Sequence, residues 1–163
     1  MTVIAVTGHR DLAEATVPLV RGALRELLAA HPAEELTGLS CLAEGADALF
    51  AEAVLAHGGR LVAVLPSPAY RAERVGPGYA PAFDRLCASA AEILVLPHAT
   101  ADDRAFTAAN DLLLARAGLL VAVWDGHPGN GPGGTAHAVA AARTTGLPVT
   151  VLWPPTATRT GHP

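Results

Sequence analysis

Short apolar runs recur along the chain at intervals, and amphipathic stretches separate them. Thr2 to Val6 is apolar and β-branched and stops at Thr7-Gly8, the form of a buried parallel strand entering its loop. Leu36 to Cys41, Leu61 to Leu65, Ile93 to Leu96, Leu119 to Trp124 and Val149 to Trp153 repeat this form and predict further strands.

Helices are predicted in the gaps. From Val17 to Ala30, Val20, Leu24, Leu27 and Leu28 share one face, with Arg21, Arg25 and Glu26 on the other. Ala46 to His57 carries Leu49, Phe50, Ala53 and Val54 on a stripe and stops at Gly58-Gly59. A helix opened by Thr100, with Asp103 as an acidic capping partner, carries Phe106, Leu113 and Leu114 and ends near Gly118. Thr135 to Thr144 is the last helix. The connection after Pro66 contains a short helix around Phe83 to Ala90.

Strands that are apolar throughout, alternating with helices, indicate a parallel sheet covered on both faces. The expected fold class is therefore α/β: a Rossmann-like three-layer α/β/α sandwich with a mainly parallel sheet of about six strands. Residues 1–153 are expected to form a single domain and residues 154–163 a loose C-terminal tail.

The composition agrees with a packed domain, since 51% of residues are hydrophobic and 16% charged. The apolar runs fall well short of the ~20 residues of a membrane helix. The opening MTVIAVTGHR lacks the basic leader of a signal peptide. Cys41 and Cys87 form no CxxC pair and read as two reduced thiols in a cytoplasmic protein.

All 11 basic residues are arginine. The absence of lysine excludes both a Walker A lysine and a Schiff-base lysine. A formal net charge of -4 argues against a broad polyanion-binding face, although one arginine suffices for a small anion. The 7 histidines show no HExxH or comparable spacing, so no metal site is expected.

Ligands of open parallel sheets bind beyond the carboxyl ends of the strands, where helix amino termini present free N–H groups. The distinctive residues fall there: Thr7, Gly8, His9 and Arg10 after the first strand, SCLAEGAD after the second, and DGHPGNGPGGT after the fifth. Gly133 and Gly134 let a ligand approach the backbone, and Thr135 opens a helix whose dipole favours phosphate. Arg10 is suited to a bidentate pair with phosphate or carboxylate, or else to a surface pair with Asp11 or Glu14.

Other polar residues leave two readings each. Ser40 and Gly45 belong to the turn after the second strand. Asp47 either offsets a helix dipole or binds a ribose hydroxyl. Glu44 is either a solvated charge or the best catalytic acid/base candidate. Asn110 lies beside a buried helical face and either caps backbone or meets the ligand. Asp125 either holds a sugar hydroxyl or folds its loop.

TGHR, SCLAEGADALFAEAV, FTAANDLLLARAGLLVAVWDG and GPGGTAHAVAAA together resemble the SLOG superfamily, which unites SMF/DprA-like and LOG-like Rossmannoid domains. The similarity is greatest to its small GHR-type members and covers residues 2–153. It implies a parallel sheet, a nucleotide-related ligand and a homodimer.

Its enzymatic LOG branch cleaves the N-glycosidic bond of nucleoside monophosphates and carries PGGxGTxxE. Here Gly134-Thr135 matches the Gly-Thr, and Ala138 stands where the branch has its catalytic glutamate. Asn130, Gly131, Pro132 and Gly133 replace the preceding positions. The DprA branch binds single-stranded DNA, a task for which this chain lacks the basic charge and aromatic series.

The expected function is thus binding or sensing of a nucleotide or ADP-ribose-like ligand, with no cofactor required and nucleic acid disfavoured. A hydrolase using Glu44 is the alternative.

Overall fold

The computed structural model describes residues 1–129 and 132–161. Expectations concerning Asn130, Gly131, His162 and Pro163 lie outside the described residues.

The elements, in chain order, are β1 (Thr2–Gly8), α1 (Thr16–Leu28), β2 (Leu36–Ser40), α2 (Ala46–His57), β3 (Arg60–Leu65), α3 (Tyr70–Arg74), α4 (Ala80–Ser89), β4 (Glu92–Val95), α5 (Asp103–Arg116), β5 (Leu119–Val123), α6 (Thr135–Thr144) and β6 (Val149–Val151). A 3-10 turn, Ala33–Glu35, leads into β2. The sheet has 6 strands in the order β4-β3-β2-β1-β5-β6. Its pairings are parallel throughout.

Side-chain alternation along the central strands explains why they read as uniformly apolar. Ile4, Val6, Leu61, Ala63, Val121 and Val123 face the core under α1, α2 and α4. Ala5, Val62, Val64, Leu120 and Ala122 face the second core, under α5 and α6. Both faces of the central strands are buried, so apolar residues dominate them, and the Rossmann-like three-layer arrangement follows.

From β1 the chain steps outward through β2 and β3 to β4, then crosses back to place β5 on the other side of β1. Strand order therefore reverses between β1 and β5. That reversal opens the crevice where ligands of such sheets bind.

Three local expectations are corrected. Asp102, not Thr100, caps α5, its Oδ1 accepting the Ala105 N–H at 3.0 Å. The link from β3 to β4 holds two helices, α3 as well as α4. Residues 158–160, placed in the loose tail, are tied to the loop after β1. Thr158 accepts from the Ala13 N–H at 3.0 Å, the Thr160 N–H donates to Asp11 at 2.7 Å, and Leu12 bridges Arg159.

No helix among the described residues is long and apolar enough to cross a membrane. Cys41 and Cys87 are both free.

Candidate functional site

A cavity of about 910 Å³ opens at the carboxyl edge of the sheet, over the β1/β5 reversal. Two turns packed back to back form its floor. Gly8 lies so close to α2 that a Cβ there would stand 2.4 Å from the Ala46 Cβ and 2.8 Å from the Val123 Cβ. The His9 N–H donates to Val123 O at 3.0 Å and His9 O accepts from the Ala46 N–H at 3.1 Å. Gly45, at φ +93°, completes the fit, since a Cβ would lie 2.6 Å from His9 O. The glycines of TGHR and EGAD thus lock β1 to the start of α2 and aim the next residue, Arg10, at the cavity.

Arg10 is exposed on that wall, and no hydrogen bond or ion pair engages it among the described residues. The surface pair with Asp11 or Glu14 does not form. Asp11 binds Arg159 instead, Arg159 Nε donating to Asp11 Oδ1 at 2.9 Å. Gly133, Gly134 and Thr135 line the same cavity as Arg10, as does Thr7. Among the described residues no side chain caps α6, and its first N–H groups have no partner there. The Gly133 N–H is already used, donating to His137 Nδ1 at 2.9 Å.

The turn after β2 depends on Ser40. Its fully buried hydroxyl donates to Asp47 O at 3.0 Å and accepts from the Leu42 N–H at 3.1 Å. Leu42 sits at φ +56°, a left-handed conformation costly for a branched side chain. The Tyr79 hydroxyl, donating to Leu42 O at 2.8 Å, helps hold it there. Ser40 therefore shapes the turn and does not reach the cavity. Glu44, expected as an acid/base candidate, is exposed and off the cavity wall. The reversal at Leu42 turns this loop so that Asp47, not Glu44, faces inward.

Asp47 is 9% exposed, and its Oδ2 accepts the Ala43 N–H at 3.3 Å. Burial raises its carboxyl to about 7, outweighing the opposing effects of the Ala43 bond and the Arg10 charge. A group held near neutrality in this way is equipped to move a proton at physiological pH.

On the β5 side, His9 Nε2 accepts the Asp125 N–H at 3.0 Å. Burial first, then the Arg159 charge, lowers the His9 pKa and keeps the ring neutral. With the Nε2 lone pair committed to that amide, the proton resides on Nδ1. The 3.2 Å approach of Asp125 Oδ1 to Nε2 is therefore proximity and not an ion pair.

Asp125 itself is spent on structure. Its Oδ1 accepts the His127 N–H at 2.9 Å and its Oδ2 accepts from Arg159 Nη1 at 3.3 Å. Burial pushes its carboxyl up, but the His127 bond and Arg159 hold it below the usual range. Asn110 braces the opposite lip, its Nδ2 donating to Gly133 O at 3.2 Å, and it also lines the cavity.

Sequence reasoning missed several wall residues. Arg74 ends α3, lies 5.4 Å from the Phe106 ring centre and donates to Ala101 O at 2.9 Å. Phe106 was legible only as part of an apolar helix face. Trp153 meets His9 edge-on at 5.5 Å, and Arg159 enters from the C-terminal segment. No group of three or more His, Cys, Asp or Glu side chains among the described residues is arranged to hold a metal ion.

No family model matches the chain, and no curated protein matches it. Solved structures do. DNA processing protein A (DprA) from Streptococcus pneumoniae superposes with a TM-score of 0.67 at 18% identity, over 93% of this chain and 50% of that one. DprA from Helicobacter pylori, described in a single-stranded DNA binding mode, gives 0.67 at 16% identity, covering 92% and 64%. The molybdenum cofactor carrier protein of Chlamydomonas reinhardtii gives 0.60 at 23% identity, covering 94% and 78%. The chain thus spans about half the length of the S. pneumoniae protein. In fold it is similar to DprA and to the molybdenum cofactor carrier, the Rossmann-like architecture that its SLOG-like motifs imply.

Proposed function

We propose that the chain binds a small nucleotide or nucleotide-derived ligand, seating a phosphate between Arg10 and the start of α6. One observation carries this reading: a guanidinium unpaired among the described residues and a helix terminus uncapped among them share one cavity, although Arg10 and Thr135 are far apart in sequence. The helix dipole and open N–H groups favour an anion, and Arg10 adds charge and planar donors. The cavity lies within the size range of small-molecule sites. Arg74 is committed to Ala101 O and Arg159 to two carboxylates, so the cationic provision suits a compact anion better than an extended polyanion.

Thermal-shift and calorimetric titration with mononucleotides, NAD, ADP-ribose, cyclic nucleotides, molybdenum cofactor and a short single-stranded oligonucleotide tests this reading. At least one nucleotide-class ligand is expected to bind. Arg10→Ala should weaken it at least tenfold, given about 1.5 to 3 kcal/mol for a hydrogen bond to a charged group. Unchanged affinity removes Arg10 from the site, and preference for the oligonucleotide or the molybdenum cofactor replaces the ligand class.

A hydrolytic reading is favoured by one feature, the near-neutral carboxyl of Asp47 on the cavity wall. It takes the place of the Glu44 expectation. Release of free base from a bound nucleoside monophosphate, lost in Asp47→Ala, would establish it.

A further inference from the structure

Asp47 is the second residue of α2, and only one of its carboxyl oxygens is engaged. Oδ2 accepts the Ala43 N–H, whereas Oδ1 has no partner among the described residues. No buried side-chain nitrogen or oxygen among them lacks a hydrogen bond, so Oδ1 is not sealed inside the protein. Asp47 lines the cavity, and its open oxygen reaches solvent through it.

The ionisable groups around Asp47 come from four directions: Arg10 after β1, Cys41 after β2, Tyr70 on α3 and Tyr79 ahead of α4. Burial, the largest influence on each, raises the Cys41 thiol and both phenols, so these three stay neutral. Arg10 is left as the charged neighbour. An anion seated on Arg10 claims the one positive charge that favours an ionised Asp47, and it places a second negative charge beside the carboxyl. A proton taken from solvent removes that repulsion and turns the open oxygen into a donor.

We propose that Asp47 enters the complex as the neutral acid, donating a hydrogen bond to the bound diphosphate or phosphate, so that the site takes up a proton with its ligand. The proposal rests on the anion-binding reading given above. It makes Asp47 a specificity residue for acceptor oxygens, the reverse of a carboxylate accepting from a ribose hydroxyl. The two roles predict opposite pH trends: a donor acid loses affinity as pH rises, whereas a carboxylate gains it. Burial already brings the free carboxyl within reach of neutral pH.

The test is calorimetric titration of the full chain with ADP-ribose, whose diphosphate diester keeps its charge between about pH 6 and about pH 8.5, in buffers of differing ionisation enthalpy. Expected for the wild type are net proton uptake and an affinity that falls about tenfold or more across that range. Asp47→Asn keeps an acceptor for the Ala43 N–H and presents an N–H donor, so it should bind with little pH dependence and exceed the wild type at the alkaline end. Any slope contributed by other groups on the same wall persists in that variant and is subtracted by the comparison.

A pH-independent wild-type affinity overturns the proposal. So does an affinity that rises with pH, or an Asp47→Asn profile that follows the wild type. If ADP-ribose binding is lost in Arg10→Ala yet shows no proton uptake, the anion-binding reading stands and this proposal alone falls. If ADP-ribose and inorganic pyrophosphate do not bind at any pH, this proposal falls, and if none of the nucleotide panel binds either, both fall.

Discussion

Arg159 donates from Nε to Asp11 Oδ1 at 2.9 Å, joining the last described residues to the loop that follows β1. The same guanidinium reaches Asp125 Oδ2 at 3.3 Å, so one side chain ties the exits of β1 and β5 together. Both pairs are partly exposed, which limits each to a modest contribution. Arg159→Ala should cost about 1 kcal/mol in urea unfolding. Truncation after Pro154 should cost more, because it also strips Thr158 from the buried hydroxyl of Thr16, which donates at 2.9 Å and accepts at 2.8 Å. Equal urea midpoints for wild type and truncated chain would show that the segment contributes nothing to the fold.

Gly8 stands where α2 meets the end of β1. Gly8→Ala must push Ala46 or Val123 away, and the Val123 backbone oxygen at 2.9 Å has no rotamer by which to yield. Overpacking of this kind costs about 1 to 3 kcal/mol, and a melting temperature lower by several degrees is expected. The displacement falls on His9 and Arg10, so ligand affinity should drop along with stability. An unshifted melting temperature would mean that the two turns are not held as closely as described.

The contrast between Gly8 and Arg159 shows how far the sequence could be read. The strands, the helices over and under them, and the edge where chemistry gathers were legible because they depend on local periodicity and on glycines at strand ends. Arg10, Gly134 and Thr135 were placed on one rim because parallel topology brings every carboxyl end to the same edge. Arg159 was not legible: the TATRTGHP segment has no period, and its partners Asp11, Ala13 and Thr16 lie at the other end of the chain. Glu44 and Asp47 could not be ranked either. Which of them turns inward depends on the left-handed backbone at Leu42, a residue that gives no composition signal for it. Thr100 reads as the α5 cap because Asp103 follows it at capping-box spacing, whereas Asp102 has Ala105 three residues on and gives no such signal.

His9 should remain neutral, with its proton on Nδ1. The ring's pKa is lowered by burial and by Arg159, and protonation would destroy the acceptor that the Asp125 N–H uses. The unfolded chain takes up a proton near pH ~6.5 while the folded one resists. The His9 contribution to stability is therefore full above that value and lost as pH falls through it toward the folded pKa. Nitrogen-15 spectra at neutral pH should report the Nδ1–H tautomer. His9→Ala, which leaves the Asp125 N–H without its acceptor, should cost about 1 to 3 kcal/mol and flatten this part of the pH profile. An Nε2–H tautomer would contradict the assignment.

Asp47 should act on stability in the opposite sense from an ordinary paired carboxylate. Its side chain titrates near ~3.9 when unfolded. In the fold burial raises it to about 7. Between those values the native state keeps a proton that the unfolded chain has released, so stability grows as pH falls through 7 and levels off below about 4. Above 7 the folded protein carries a buried charge at a cost of up to about 4 kcal/mol, the equivalent of that shift. Asp47→Asn removes the charge and keeps the shape, so it should melt above the wild type at pH ~8 and nearly with it at pH ~4. The difference should disappear progressively as the buffer is acidified, and a variant no more stable than wild type under alkaline conditions would mean that the carboxyl is better solvated than its burial implies.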